Sequence, residues 1–256
     1  MTTIAIITGA SSGLGREYVR AVAEKMPDLG EIWLVARRQE RLIALAETIP
    51  GQRFRILPYD LTAAASFHKF QGLLAREQPD VRLLINDAGM IRIGNVAAMP
   101  AADQEKTVQL NALAPTLLTR LALPYMHRGA SIINVTSIGG FTPSPNMVVY
   151  SASKAYLLSY SKGLHAELRR RGIHVLALVP GSMRTSQFTG PNAGSRQTGF
   201  TVANRLPFLD LPTVTRRSLT IARWGWSVYT PHLFYKAYRV VTALVPDIVL
   251  TYVVRP

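Results

Sequence analysis

The stretch TIAIITGASSGLG, residues 3–15, decides how the rest of the chain is read. Its first six residues, TIAIIT at 3–8, run without polar alternation, as in a strand covered on both faces. Glycines follow at 9, 13 and 15. Beyond them Tyr18, Val19, Val22, Ala23 and Met26 recur at helical spacing until PDLG at 27–30 breaks the pattern. Strand, glycine-rich turn and helix in that order make half a crossover, and crossovers join parallel strands. The prediction is a parallel sheet.

The unit recurs. Apolar runs EIWLVAR at 31–37, RFRILPYDL at 53–61, VRLLIN at 81–86, ASIINVTS at 130–137 and IHVLALVPG at 173–181 alternate with helical patterns. This alternation predicts the α/β class, a doubly wound parallel sheet with helices on both faces. With 256 residues, 48% of them hydrophobic, and no linker rich in Pro, Gly or Ser, the chain is expected to form a single domain over 1–256. The periodicity weakens at 182–212, a segment rich in turn formers after the sixth predicted strand. Ligands bind at the carboxyl edge of such sheets, so 182–212 is expected to be a substrate loop or lid. Residues 213–256 form a helical C-terminal extension.

Composition closes several routes. The chain has no cysteine, which excludes disulfides and thiolate metal sites, and His68, His127, His165, His174 and His232 show no ligand spacing. No metal is expected. The start MTTIAIITGASSG has no positively charged leader, which leads to the expectation of a cytoplasmic protein. Net charge is +14, from 29 Lys and Arg against 15 Asp and Glu. No arginine-rich or aromatic-interleaved tract accompanies it, so the excess reads as solvated surface plus phosphate recognition, and no nucleic-acid partner is expected. The apolar run 240–254 is interrupted by Pro246 and Asp247 and is shorter than the roughly twenty residues of a transmembrane helix. The basic, aromatic tail around it closes a substrate pocket, packs at an oligomer interface or makes peripheral contact with a membrane, with the first two ahead of the third.

Two motifs carry chemistry. Gly9, Gly13 and Gly15 let the backbone approach a pyrophosphate, while the start of the following helix supplies N–H groups and positive dipole. Further on, VVYSASKAY at 148–156 places Tyr150 and Lys154 on one helical face. Tyrosine is a poor acid at neutral pH, its reference pKa being about 10. A neighbouring ammonium favours the phenolate and makes such a tyrosine a proton shuttle.

The spacing Gly-x-x-x-Gly-x-Gly resembles that of the short-chain dehydrogenase/reductase family, of the hydroxysteroid dehydrogenase and ketoacyl reductase type, whose fold is Rossmann-like. Other marks of that family follow in order over about residues 2–190. Asp60-Leu61 follows the third strand and matches its adenine-contacting pair. NDAG at 86–89 stands where the family usually has Asn-Asn-Ala-Gly, and Asp87 is a departure at a position expected mainly to stabilise the sheet edge. Asn111 lies in VQLNALAP on the fourth helix, Ser137 ends the fifth strand, and PGSMRT at 180–185 matches the nicotinamide-contacting Pro-Gly-x-x-x-Thr.

The resemblance implies a catalytic set of Asn111, Ser137, Tyr150 and Lys154. By it, Ser137 orients the substrate oxygen, Lys154 also holds the nicotinamide ribose, and Asn111 anchors a proton-relaying water. The implied cofactor contacts are Gly9, Ser11, Ser12, Gly13, Leu14, Gly15, Arg37, Arg38, Asp60, Leu61, Asn86, Ala88, Gly89, Tyr150, Lys154, Pro180, Gly181 and Thr185. After the second strand Ala36 stands where an NAD-preferring relative carries aspartate, and Arg37 follows. A guanidinium there suits a 2′-phosphate, so NADP(H) is preferred, NAD(H) stays open, and Arg37 ranks ahead of Arg38. Met183, Phe188, Phe200, Leu206, Phe208 and Leu209, with Phe141, Pro143 and Met147, would line a pocket for a bulky apolar ketone, aldehyde or alcohol: steroid, fatty-acyl or aromatic. The competing reading is a cofactor-binding sensor without turnover. The resemblance further implies a homodimer or homotetramer.

Overall fold

The computed structural model describes residues 1–185, 206–246 and 248–250. Seven strands form one parallel sheet: β1 (Thr3–Thr8), β2 (Glu31–Val35), β3 (Phe54–Leu57), β4 (Asp80–Asn86), β5 (Ser131–Val135), β6 (His174–Leu178) and β7 (Val228–Tyr229), in the order β3-β2-β1-β4-β5-β6-β7. All six neighbouring pairs are parallel. The helices are α1 (Gly13–Lys25), α2 (Gln39–Glu47), α3 (Ala64–Glu77), α4 (Ala101–Val108), α5 (Ala114–Ala122), α6 (Val148–Leu168), α7 (Leu211–Arg223) and α8 (Leu233–Leu244).

Successive strand residues point to opposite faces, and each face has its own core. On one side Ala5, Ile7, Ile32 and Leu34 meet Leu14, Tyr18 and Val22 of α1, Leu42 of α2 and Leu219 of α7. On the other, Ile4, Ile6, Trp33 and Val35 meet Phe70 and Leu74 of α3, Leu118 of α5 and Leu164 of α6. Each such buried side chain contributes about 1.5–3 kcal/mol of transfer free energy. Some buried polar atoms join the layers: the Tyr18 hydroxyl and Ser218 Oγ lie 2.7 Å apart and join α1 to α7, and Trp33 Nε1 donates to Glu31 at 2.6 Å.

β2, β3, β5 and β6 are shorter than their apolar runs. β3 stops at Leu57 because Pro58 has no N–H for the ladder. Of the predicted loop 182–212, residues 186–205, with Phe188 and Phe200, lie outside the described residues. Leu211 and Pro212 belong to α7, capped by Asp210, whose carboxylate accepts the Thr213 N–H at 2.9 Å. Between the two described ends, Met183 pairs with Leu209. Within the extension β7 adds an edge strand at 228–229, inside the SVYTP stretch at 227–231.

The sheet order reverses direction at β1, whose neighbours are β2 and β4. The loops leaving β1 and β4 therefore part, and a crevice opens between their carboxyl ends. Thr8 ties the two together there: its Oγ1 accepts the N–H groups of Asp87 and Ala88, each at 3.0 Å, and donates to the Ile85 carbonyl at 3.2 Å.

Candidate active site

The glycine-rich turn lies along one wall of this crevice. Gly9 and Gly13 have φ of +71° and +55°, and a Cβ on Gly15 would sit 2.3 Å from the Gly9 carbonyl oxygen. Only glycine permits that approach. Ser12 precedes α1 without capping it through its side chain, and the first turn carries no acid, so a pyrophosphate fits this end of the crevice. Leu14 is buried beneath the turn and Thr185 lies across it, its methyl carbon 3.3 Å from where a Gly13 Cβ would be.

Arg37 and Arg38 are both exposed at the end of β2. Arg38 Nη2 donates to Ser11 Oγ at 2.9 Å and to Ser12 Oγ at 3.2 Å, directly on the turn. Arg37 is exposed beside it. Partial burial, then Arg41 and Arg37, lower the pKa of Arg38, as expected where guanidinium charges crowd. The three make an anion-attracting corner at the end of β2.

The remaining cofactor candidates divide. Asp60 Oδ1 accepts both the Thr62 N–H (3.0 Å) and hydroxyl (2.8 Å), shaping the turn before α3, with Leu61 buried below. The Asn86 side chain does not face the crevice. It is buried and donates to Asn134 Oδ1 at 2.8 Å and Thr119 at 3.3 Å, while Asn134 donates to Ser161 at 2.9 Å, a polar strut joining β4, β5 and α6. Ala88 and Gly89 do border the crevice. A Cβ on Gly89 would meet Asn111 Oδ1 at 3.1 Å and Lys154 Nζ at 3.5 Å.

Asn111 sits in a π turn, Gln109–Leu113, between α4 and α5. Four residues on, Pro115 has no N–H to offer the Asn111 carbonyl, so the helix opens to wider spacing, with the Ala114 N–H bonded to Gln109 O. The Asn111 side chain then clamps Met90, accepting its N–H and donating to its carbonyl, both at 2.9 Å, and also donates to Ser153 Oγ at 3.1 Å. Ser137 follows β5, its Oγ accepting the Gly139 N–H at 3.1 Å. Gly139 and Gly140 let this loop lie against α6: a Cβ on Gly140 would be 2.8 Å from the Lys154 backbone, and one on Gly139 would be 3.4 Å from the Tyr150 ring. Lys154 is buried, donates to the Val135 carbonyl at 2.9 Å, and holds its ammonium 5.9 Å from the centre of the Tyr150 ring.

Burial pushes Tyr150 above its ordinary value, and a hydrogen bond with Ser137 only partly opposes it. The hydroxyl is held protonated, the form that can donate. Lys154 is lowered to about 8, by burial, with Asp87 pulling the other way.

Compared with known proteins, a family model described as short chain dehydrogenase matches residues 3–194. The chain belongs to the short-chain dehydrogenase family. It is 31% identical, over 80% of its length, to a short chain dehydrogenase of Pseudocercospora fijiensis, of which it spans 66%. Among solved structures it resembles a short-chain dehydrogenase from Sphingobium yanoikuyae in complex with NADPH, with TM-score 0.77, 28% identity and coverage of 96% of this chain and 97% of that one. It also resembles the bulky-bulky ketone specific alcohol dehydrogenase from Comamonas testosteroni, with TM-score 0.72, 27% identity and 96% coverage of both chains.

In this short-chain dehydrogenase several site residues escape sequence reading. Asp87, expected to serve the sheet edge, instead lies on the crevice floor, where its carboxylate accepts the Gly15 N–H. Burial raises it to about 7, against the pull of Lys154. Its departure from the usual motif was the signal. Tyr235 of α8 packs its ring over Gly181, where a Cβ would be 2.0 Å from the ring; its hydroxyl accepts the Ser182 N–H at 3.0 Å and donates to Pro207 O at 2.7 Å. Pro180 in turn accepts the Ile138 N–H at 3.0 Å, joining the β6 loop to the loop that carries Ser137. Nothing in the local sequence links Tyr235 to Gly181.

Proposed function

We propose that this chain is an NADP(H)-dependent oxidoreductase that interconverts a ketone or aldehyde with an alcohol, on a bulky apolar substrate. The observation that carries the reading is the convergence of Ser137, Tyr150 and Lys154, from β5 and α6, with Asn111 and the glycine-rich turn around one crevice. Bound NADP(H) supplies or accepts the hydride. The chain's own part concerns the substrate oxygen, which gains negative charge during reduction and needs a hydrogen-bond donor and a proton. Ser137 and Tyr150 offer hydroxyls side by side, and Tyr150 gives up its proton. The Lys154 ammonium stabilises the phenolate left behind. Asn111 fixes the segment at Met90 on the opposite wall.

Arg38, with Arg37 and Arg41, supports a 2′-phosphate and hence NADP(H) over NAD(H). The NADPH in the Sphingobium structure agrees with that choice, and the Comamonas enzyme's bulky ketones agree with a bulky apolar substrate. Exposed Val108, Leu113, Val148 and Tyr156, on α4 to α6, support a homodimer or homotetramer through these helices.

The test is NADPH consumption by the purified protein against steroid, β-ketoacyl, aromatic and small aliphatic carbonyls, with Tyr150→Phe as control. Turnover of one class, lost in the control while NADPH still binds, is expected. NADPH binding with no turnover anywhere would favour the sensor reading, and turnover unchanged by Tyr150→Phe would overturn the mechanism.

A further inference from the structure

Helix α8 is amphipathic with its apolar side outward. Tyr235 is fully buried and Tyr238 and Thr242 are half-buried on the inner side, whereas Leu233, Phe234, Ala237, Val240, Val241 and Leu244 share the outer side and are exposed. Leu233 and Leu244 are 78% and 79% exposed, near the limit for a side chain on a helix surface. Single exposed apolar residues are ordinary, but a stripe along one helix is an interaction surface.

The stripe is held firmly at the rim of the crevice. Tyr235 is bonded to Ser182 and Pro207, just beyond Gly181. The Tyr238 hydroxyl lies 3.0 Å from Thr142 Oγ1, in the loop that runs from Ser137 to Tyr150.

Charge selects what the stripe meets. Lys236 and Arg239 flank it, no acidic residue occurs from 233 to 246, and neither cation has a carboxylate partner among the described residues. Over residues 211–256 six basic residues, Arg216, Arg217, Arg223, Lys236, Arg239 and Arg255, stand against Asp247 alone. A second copy seated on this helix about a twofold axis would oppose Lys236 and Arg239 to their own counterparts with no carboxylate to relieve them. An anionic lipid surface takes up both features, the apolar side chains below its headgroups and the cations among its phosphates.

We propose that the outer face of α8 is a docking site for an anionic lipid bilayer. Leu233, Val240 and Leu244 enter the boundary between headgroups and acyl chains, and Lys236 and Arg239 pair with lipid phosphates. Docking rests on the helix alone. Only its consequence, that the crevice rim meets the membrane where apolar carbonyls dissolve, rests on the function proposed above.

The experiment is co-sedimentation of the full chain with vesicles of phosphatidylcholine alone or mixed with phosphatidylglycerol. Expected is binding on the order of tenfold stronger to the mixed vesicles, weakened by salt. Val240→Glu with Leu244→Glu abolishes it, and Lys236→Ala with Arg239→Ala removes the preference for the anionic lipid. Lys236, Val240 and Leu244 are exposed and Arg239 is half-buried without a carboxylate partner among the described residues, so thermal unfolding and NADPH binding stay unchanged and certify the fold. Equal sedimentation with both vesicles, or glutamate variants that sediment like the parent, would overturn the proposal. A parent that sediments with neither, and whose glutamate variant drops to a smaller oligomer by light scattering, would assign the face to a second copy instead. Silence across the carbonyl panel would count against the catalytic reading and leave vesicle binding intact.

Discussion

Asp87 and Lys154 lie within electrostatic reach of each other on the crevice floor, and each restrains the shift that burial imposes on the other. Asp87 is raised to about 7 and Lys154 lowered to about 8. Both groups thus titrate within the range in which such an enzyme works, next to the backbone amides suited to a pyrophosphate.

A pH dependence of cofactor binding follows. Below about pH 7 Asp87 is neutral and Lys154 an ammonium, which suits an anionic cofactor; above it a carboxylate appears beneath the glycine-rich turn, and above about pH 8 the ammonium is lost. NADPH affinity should fall in two steps between pH 6 and 9, by about tenfold in all. In Asp87→Asn the first step disappears. The second moves to lower pH, because the carboxylate that holds Lys154 up is gone. Fluorescence titration with NADPH at each pH reads both, and identical profiles for parent and variant would remove Asp87 from the site. The folded chain also binds a proton at Asp87 between the ordinary carboxylate range and about pH 7, so stability falls as pH rises through that window, and Asp87→Asn should flatten the fall.

Cofactor choice is tested at the end of β2. Arg38→Asp replaces the guanidinium bonded to Ser11 and Ser12 with a charge of the opposite sign, and should weaken NADPH by on the order of tenfold to a hundredfold with little change for NADH. Arg37→Asp, made in parallel, should do less. A larger loss from Arg37→Asp would return the phosphate to Arg37, and equal losses of both cofactors would take it from either.

Gly181→Ala puts a methyl group into the Tyr235 ring. The ring has to move, and its bonds to Ser182 and Pro207 go with it. Destabilisation of about 1–3 kcal/mol is expected, visible as a lower thermal midpoint. Tyr235→Phe, which keeps the packing and drops the hydroxyl, should lose about 1 kcal/mol.

Pro115→Ala restores an N–H four residues after Asn111. The π turn should close to regular helix, rotating Asn111 off Met90 and Ser153. Turnover should drop by about tenfold, with NADPH affinity retained. Unaltered turnover would mean that the π turn does not position the site.

Much of the architecture is legible locally. Unbroken apolar runs report strands covered on both sides, and the glycines at 9, 13 and 15 report a turn that only glycine can make, because both are properties of a few consecutive residues. Less legible is which neighbour a side chain meets. Asn86 and Gly89 lie in one motif, yet Asn86 turns into the sheet and Gly89 borders the crevice, a matter of strand alternation at the very end of β4. The sequence ranks Arg37 ahead of Arg38 for the phosphate, and only the direction in which the chain leaves β2 brings Arg38 onto Ser11.

The sequence by itself determined the order of strand and helix, the parallel sheet, the glycine-rich turn, and which residue types stand ready at the strand ends. Tertiary structure alone decided that Asp87 comes within electrostatic reach of Lys154, that Ser137 hydrogen-bonds Tyr150, and that Tyr235 of α8 seals Gly181. The physical reason is range. Patterns of hydrophobicity and turn chemistry act between neighbours in the chain, whereas desolvation, charge coupling and close packing depend on residues far apart in sequence that meet only once the sheet has formed.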